Sequence, residues 1–404
     1  MPEPSRLEQA FQDAIAKAKA AQLRRNNKQP NARSMKDRLV NCGKWFRRHT
    51  HPRITLEAAV YEGLKKEGNQ LIGDTDEPMQ DLPAEVQEAK DNYATNCADA
   101  FDKFIEKKPL FGDFLDHCAA KDDGEGLLQV VNLVNGCAQQ VLYDDNNHLK
   151  SAMHKLLSPD PFTGFSRVQH LHPASKEDRG VKNELICKYF MTREDMIAFK
   201  EGDANVQRGL IQKYCAPNFK LTADDLPVFL YNVDIIDRDK MNVGLLKAQI
   251  LIRSAQYILT GPTTYGQPAR VRPAVPLTAR GDNAHIMRIT AITPDFIFYV
   301  CCVVQFAMSS VRSWSEWDGA FSLHEFWDQL QFNFYDQCEA WQHDVLRLWN
   351  RTVFGAPNGR VDAPVRIRQP NPNSDSNRLR RQRDKERAAE AEAAAAVAAA
   401  GDGV

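Results

Sequence analysis

Several common signals are missing from this sequence, and each absence excludes something. There is no CxxC pair and no overall charge imbalance: 52 Lys and Arg stand against 53 Asp and Glu in 404 residues, a formal net charge of −1. A near-neutral chain exerts no global pull on nucleic acid or an anionic membrane. The longest apolar run, Phe296–Ala307, is broken by Gln305 and falls short of the roughly 20 residues a bilayer helix needs. No membrane partner is expected. Nine cysteines (Cys42, Cys97, Cys118, Cys137, Cys187, Cys215, Cys301, Cys302 and Cys338) show no framework spacing, and Met1-Pro2-Glu3-Pro4-Ser5-Arg6 has no apolar signal region. An odd number of thiols without a secretory signal reads as a reduced protein, nuclear or cytoplasmic and not secreted. No internal repeat is visible.

What the chain does contain is ordinary globular material, 43% hydrophobic and 26% charged. Its charge is uneven along the length. Residues 1–53 hold 13 Lys/Arg against 4 Asp/Glu, and residues 54–125 hold 7 against 18. The two stretches either neutralise each other or meet an external anionic partner. Four regions follow: a basic N-terminal helix and arm (1–53), an acidic helical region (54–157), an α-rich core domain (158–355) and a disordered basic and alanine-rich tail (356–404). The fold class expected is mainly α, a bundle-like core with long loops and at most short strands.

Hydrophobic periodicity predicts the elements. Leu7, Ala10, Phe11, Ile15 and Ala18 recur at helical spacing over 5–23, followed by a polar linker at 24–31 and a basic segment, 36–53. Thr55 caps a helix to about Lys66, and 84–107 forms a long one. Residues 126–157 read as a pair of core helices with a turn at Asp144-Asp145-Asn146-Asn147. Pro159, Pro161 and Gly164 mark a boundary. Thr192 caps a further helix, Pro227–Tyr231 is strand-like, and Asn242–Ile258 is an amphipathic helix. The 261–282 loop, with four prolines and three glycines, exceeds the roughly 12–15 residues typical of a passive connection. Thr293-Pro294 opens a helix apolar almost all round, which must be central and buried. Ser322 to Glu325 forms a capping box, and a last helix covers 337–353.

Candidate sites come with competing structural readings. Arg270, Arg272 and Arg280 with Asp282, Asn283 and His285 are the densest polar cluster near the core. Arginine forks suit phosphate or carboxylate, and Asp282 with His285 is a candidate acid/base pair. The alternative is a polar network that closes the loop, with the Asn-Ala step as turn and cap. Thr260–Gly266 offers backbone amides to an anion but lacks the P-loop pattern; the alternative is a helix C-cap with glycine at C′. His49 with His51, and His170 with His172, would share a strand face, yet no third ligand is indicated, so neither metal nor cofactor is assigned. Cys301 and Cys302 point about 100° apart on a helix and read as core. Of the tryptophans, Trp327, Trp341 and Trp349 read as core, whereas Trp314 and Trp317 are the better candidates for exposure and base stacking. The basic ends, through Arg24, Arg25, Arg47, Arg48, Arg380 and Arg381, suit nuclear import, nucleic acid or a protein partner.

Several motifs occur in a fixed order: Asp178-Arg179-Gly180, Leu226-Pro227-Val228-Phe229-Leu230-Tyr231, Gly244-Leu245-Leu246, Thr260-Gly261-Pro262-Thr263-Thr264, Asn283-Ala284, Gln305-Phe306-Ala307-Met308-Ser309-Ser310 and Trp349-Asn350-Arg351 with Val353-Phe354. In them the chain, over about residues 148–354, resembles a family of mushroom-forming fungi known as the domain of unknown function DUF6698. The resemblance implies an α-rich domain and no assigned activity. Two departures stand out: Met287-Arg288 where the family pattern has His-Gly, and Gln305 where it has arginine. The reading reached is a non-enzymatic binding or interaction protein with weak nucleic-acid contact through its basic ends; the alternative is an enzyme or small-ligand binder using the 260–285 loop.

Overall fold

The computed structural model describes residues 11, 12, 15, 16, 35–68, 84–157, 171, 172, 175–262 and 282–360. The expected linker at 24–31, the boundary at 158–164, most of the 261–282 loop and the tail beyond Arg360 lie outside these residues, as does most of the helix expected over 5–23. The first residues of the expected disordered tail, 356–360, are instead held on the core, the Arg360 N–H donating to Thr290 O and its side chain pairing with Asp282. Within them the fold is mainly α. The helices are α1 (Met35–Arg48), α2 (Leu56–Lys66), α3 (Ala84–Lys107), α4 (Pro109–Ala120), α5 (Gly124–Leu156), α6 (Glu184–Tyr189), α7 (Arg193–Glu201), α8 (Ala204–Cys215), α9 (Gln249–Thr260), α10 (Asn283–Met287), α11 (Pro294–Met308), α12 (Leu323–Tyr335) and α13 (Glu339–Phe354). The one sheet among the described residues is a hairpin of β1 (Trp317–Asp318) and β2 (Phe321–Ser322), antiparallel with Trp317 opposite Ser322.

The centre is α11. Thr293 accepts a hydrogen bond from the Phe296 N–H, and Pro294 takes the first helical position, where its missing N–H costs nothing. From Asp295 to Met308 every residue is buried. A helix apolar on all sides has no solvent face and needs neighbours all round. Helices α1, α5, α9 and α12 supply them. Cys301 and Cys302 are core thiols, and burial raises the pKa of both. Trp327 and Trp349 are buried, the latter donating its indole N–H to the Leu246 carbonyl at 2.7 Å, whereas Trp317 is 49% exposed.

Four expectations need correction. Residues 126–157 are not a helix pair: α5 runs unbroken for 33 residues. The polar run at 144–147 looks like a turn, but Asp145 and Asn146 face inward, and Asp145 is held by partners on α1 and α11. The helix expected from Asn242 begins at Gln249, because Gly244 (φ +83°) and Leu246 (φ +56°) take left-handed conformations that no helix continues through. Val228–Leu230 is a 3-10 turn; only Tyr231 makes a strand-like bridge, to Leu245. Finally, 36–53 does not extend as an arm. It folds as α1 and the segment after it, whose Trp45, Phe46, Arg47, Arg48 and His49 are buried in the same core cluster region as α5 and α11. The described residues belong to one compact unit.

Candidate functional site

The C-terminal end of α11 leaves its last carbonyls without helical N–H partners, at the negative end of the helix dipole. Two cations and one backbone amide from the 175–180 turn take them up. The Lys176 amine donates to the carbonyls of Phe306 at 2.5 Å and Val311 at 2.6 Å, and lies 3.3 Å from the Phe306 ring centre. Arg179 donates to Ala307 O at 2.7 Å, and its other terminal nitrogen reaches Lys150 O and His172 O. The Gly180 N–H donates to Met308 O at 2.8 Å. Gly180 has φ +80°, which a side chain resists. The Asp178-Arg179-Gly180 motif therefore works as a clamp on the segment that begins at Gln305, although the two are far apart in sequence.

Burial dominates the titration of this clamp. Lys176 is 3% exposed, and burial, aided by Arg179, holds its pKa down to about 7; Asp318 opposes that shift. The Asp318 carboxyl is pushed up, chiefly by burial, against the pull of Lys176 and a hydrogen bond from Ser309.

Beside the clamp lies a cavity of about 340 Å³, within the lower range of small-ligand pockets. Gly180, Gln305, Ser310 and Asp318 supply polar groups to it, with Phe190, Phe219 and Phe321 among its apolar walls. Gln305 is only 2% exposed, and its Oε1 makes no hydrogen bond. An unpaired buried amide oxygen costs about 1–3 kcal/mol. Ser309 Oγ lies 3.0 Å from Phe306 O and also within reach of Asp318, and its single proton serves one of the two at a time. The arrangement can hold a ligand by hydrogen bonds from an amide, hydroxyls and a carboxyl against aromatic walls.

Of the residues singled out from sequence, Arg270 and Arg280 lie outside the described residues, as do Arg24, Arg25, Arg380 and Arg381. Asp282, Asn283 and His285 are close together, but as a cap. Asp282 accepts from the backbone N–H of His285 at 2.7 Å, Arg360 pairs with Asp282 at 3.1 Å, and Asn283 donates to Ile258 O. No contact joins the His285 ring to the Asp282 carboxylate, so the acid/base pair does not form here. Arg47 and Arg48, expected to meet phosphate, are each 4% exposed. Arg48 grips both oxygens of Asp145 at 2.7 Å and reaches the Met287 sulfur at 2.8 Å. A guanidinium spent in this way offers nothing to an external anion. Gly261 does cap α9, with φ +94°. His49 stacks on Trp45 at 4.2 Å and bonds to the Trp45 carbonyl, and among the described residues no three potential metal ligands converge.

Lys176 and Asp318 were not singled out. Lys176 carries no sequence signal, and Asp318 has only the turn dipeptide Asp318-Gly319. The departure at Gln305 marked a position in the pocket wall. The departure at Arg288 falls at φ +53°, where glycine would sit without strain.

Fold and site together define a mainly α protein whose pocket is built at the end of its central buried helix. Its family is the family of unknown function DUF6698, which matches residues 137–354; that is just over half of the chain, and the chain belongs to it. The match begins inside α5 and takes in the clamp and the pocket. No curated protein and no solved structure matches the chain.

Proposed function

We propose that this is a binding protein whose family domain takes a small polar ligand bearing N–H donors, an amine or amide, in the cavity at the end of α11. The observation that carries the reading is the buried, unpartnered Gln305 Oε1 in the wall of that cavity. Ligand N–H groups satisfy that oxygen and the Asp318 carboxyl, and the phenylalanine walls exclude water. The test is a thermal-shift screen of the full chain with primary amides and amines, repeated on Gln305→Leu. Replacing an unsatisfied polar group by an apolar one of similar shape is neutral or stabilising, so the variant should melt at the same temperature or higher. Ligands that stabilise the wild type should lose most of their effect on it. If no amide or amine gives a Gln305-dependent shift, the reading is wrong.

A second reading, nucleic-acid contact through the basic ends in a nuclear or cytoplasmic protein, is supported by the 13 to 4 cation excess in residues 1–53. With Arg47 and Arg48 committed to the interior, its carriers are Arg24, Arg25, Arg380 and Arg381. Replacing these four by glutamine should abolish oligonucleotide binding measured by fluorescence anisotropy across a salt series. Binding that survives the replacement counts against it.

A further inference from the structure

A separate cavity of about 410 Å³ opens where α1, the junction of α3 with α4, and α10 meet. Its lining holds four cations, Arg38, Lys107, Lys108 and Arg288, against one carboxylate, Asp113. Lys107 pairs with Glu106 at 2.5 Å. Among the described residues the other three cations make no ion pair.

Each is positioned for a physical reason. Lys108 sits between α3 and α4, and its amine is fixed, donating to Met287 O at 2.8 Å and lying 5.0 Å from the centre of the Trp45 ring. Burial, and then the nearby Arg288, lower its pKa to about 8, with Cys42 opposing. Arg288 ends α10 with φ +53°, its N–H donating to the carbonyls of Ala284 and His285. Arginine resists that conformation and glycine does not. Arg38 comes from α1, one turn before Cys42. The surrounding 54–125 stretch is strongly acidic, with 18 Asp/Glu against 7 Lys/Arg, yet only Asp113 of its acids lines the cavity. Like charges gathered in a concavity in excess of its one carboxylate, one of them on a strained backbone, are unfavourable by themselves and favourable around an anion.

We infer that this cavity binds a small phosphate-bearing anion, held by Arg38, Lys108 and Arg288. Two guanidinium forks and an ammonium supply more donors than a single carboxylate uses, and they match the several oxygens of a phosphate group. The site is a half-open concavity whose cations come from three segments, and not an extended stripe, which favours a compact ligand over a polymer backbone. It shares no lining residue with the Gln305 pocket, so either assignment can fail alone.

The test is calorimetric titration of the full chain with inorganic pyrophosphate at low salt. Saturable binding is expected, weakened about tenfold or more by Arg38→Gln and by Arg288→Gly, one charge-assisted contact each. Arg288→Gly also relieves the positive φ, so its melting temperature should be unchanged or higher, which separates lost binding from lost folding. Absence of heat, or binding that survives in the Arg38→Gln/Arg288→Gly double variant, overturns the proposal; the latter would be an adventitious ion only. If pyrophosphate does not bind while a single-stranded oligonucleotide binds and is lost in the double variant, the cations serve a polynucleotide and the small-anion assignment is likewise overturned.

Discussion

Two sets of cations are buried in this core, and they are neutralised in opposite ways. On α1, Arg48 is matched by a carboxylate: both Asp145 oxygens accept from it, and the Tyr299 hydroxyl donates to the same carboxylate at 2.8 Å. At the end of α11, Lys176 and Arg179 hydrogen-bond to no carboxylate. Their protein partners are carbonyl oxygens, two of which, those of Phe306 and Ala307, lie in the last turn of α11 at the negative end of its dipole. The first arrangement depends on one side chain that mutation can delete. The second rests on backbone that no substitution removes. The ion pair also joins α1, which lies before the family match, to α5 and α11 within it, whereas the carbonyl clamp lies wholly inside the match.

The largest effect should come from breaking the first arrangement on one side. Asp145→Ala leaves Arg48 buried and uncompensated, which costs about 3–5 kcal/mol. Arg48→Met combined with Asp145→Leu removes both charges and should recover most of that loss, since buried pairs exchanged for apolar residues are often near neutral. Arg179→Met should cost less, about 2–3 kcal/mol, because it removes the charge together with its hydrogen bonds and leaves only carbonyls unpaired. Urea unfolding of the four proteins, read as midpoints at constant slope, decides the order. If Arg179→Met proves as costly as Asp145→Ala, the contrast between deletable and undeletable partners does not hold.

How far the sequence revealed this depends on the kind of signal. Caps and periodicity are local, so the Thr55, Thr192, Thr293 and Ser322 helix starts and the all-round apolar α11 were legible, and each threonine or serine cap makes its expected bond. Charge reads poorly because its meaning depends on partners far along the chain. Arg48 looks like part of a solvent-facing basic arm until Asp145, 97 residues away, is placed beside it. The same absence of partner information made 144–147 look like a turn. Arg179 was visible as a motif member, but its role needed Ala307, 128 residues on. The Asn283-Ala284 step reads as turn and cap in the sequence, and the structure puts the cap one residue earlier, at Asp282, whose side chain accepts from the His285 N–H. The cationic cavity had only the uneven charge as a signal, because its lining comes from segments that periodicity treats separately.

A smaller effect sharpens the comparison through His49, which lies beside the Arg48 ion pair but stays neutral. It is buried between the Trp45 and Phe296 rings, and burial is the main cause that brings its pKa down from 6.5 to about 3. Lys108, Lys103 and Arg48 push the same way, and the Trp45 carbonyl opposes them. Between those two values the unfolded chain carries a proton that the folded chain lacks. Stability therefore rises with pH across that window and is lost as pH falls below 6.5. One such imidazole accounts for about 1.5 kcal/mol between pH 6.5 and pH 5, where carboxylates with ordinary pKa values remain mostly ionised. His324, also lowered chiefly by burial, adds a contribution of the same sign. His49→Phe should therefore flatten the pH dependence measured by urea unfolding at pH 6.5 and pH 5, without abolishing it. A variant that keeps the full wild-type slope would mean that His49 titrates in the fold as it does in the unfolded chain, and that its place between the two rings does not hold it neutral.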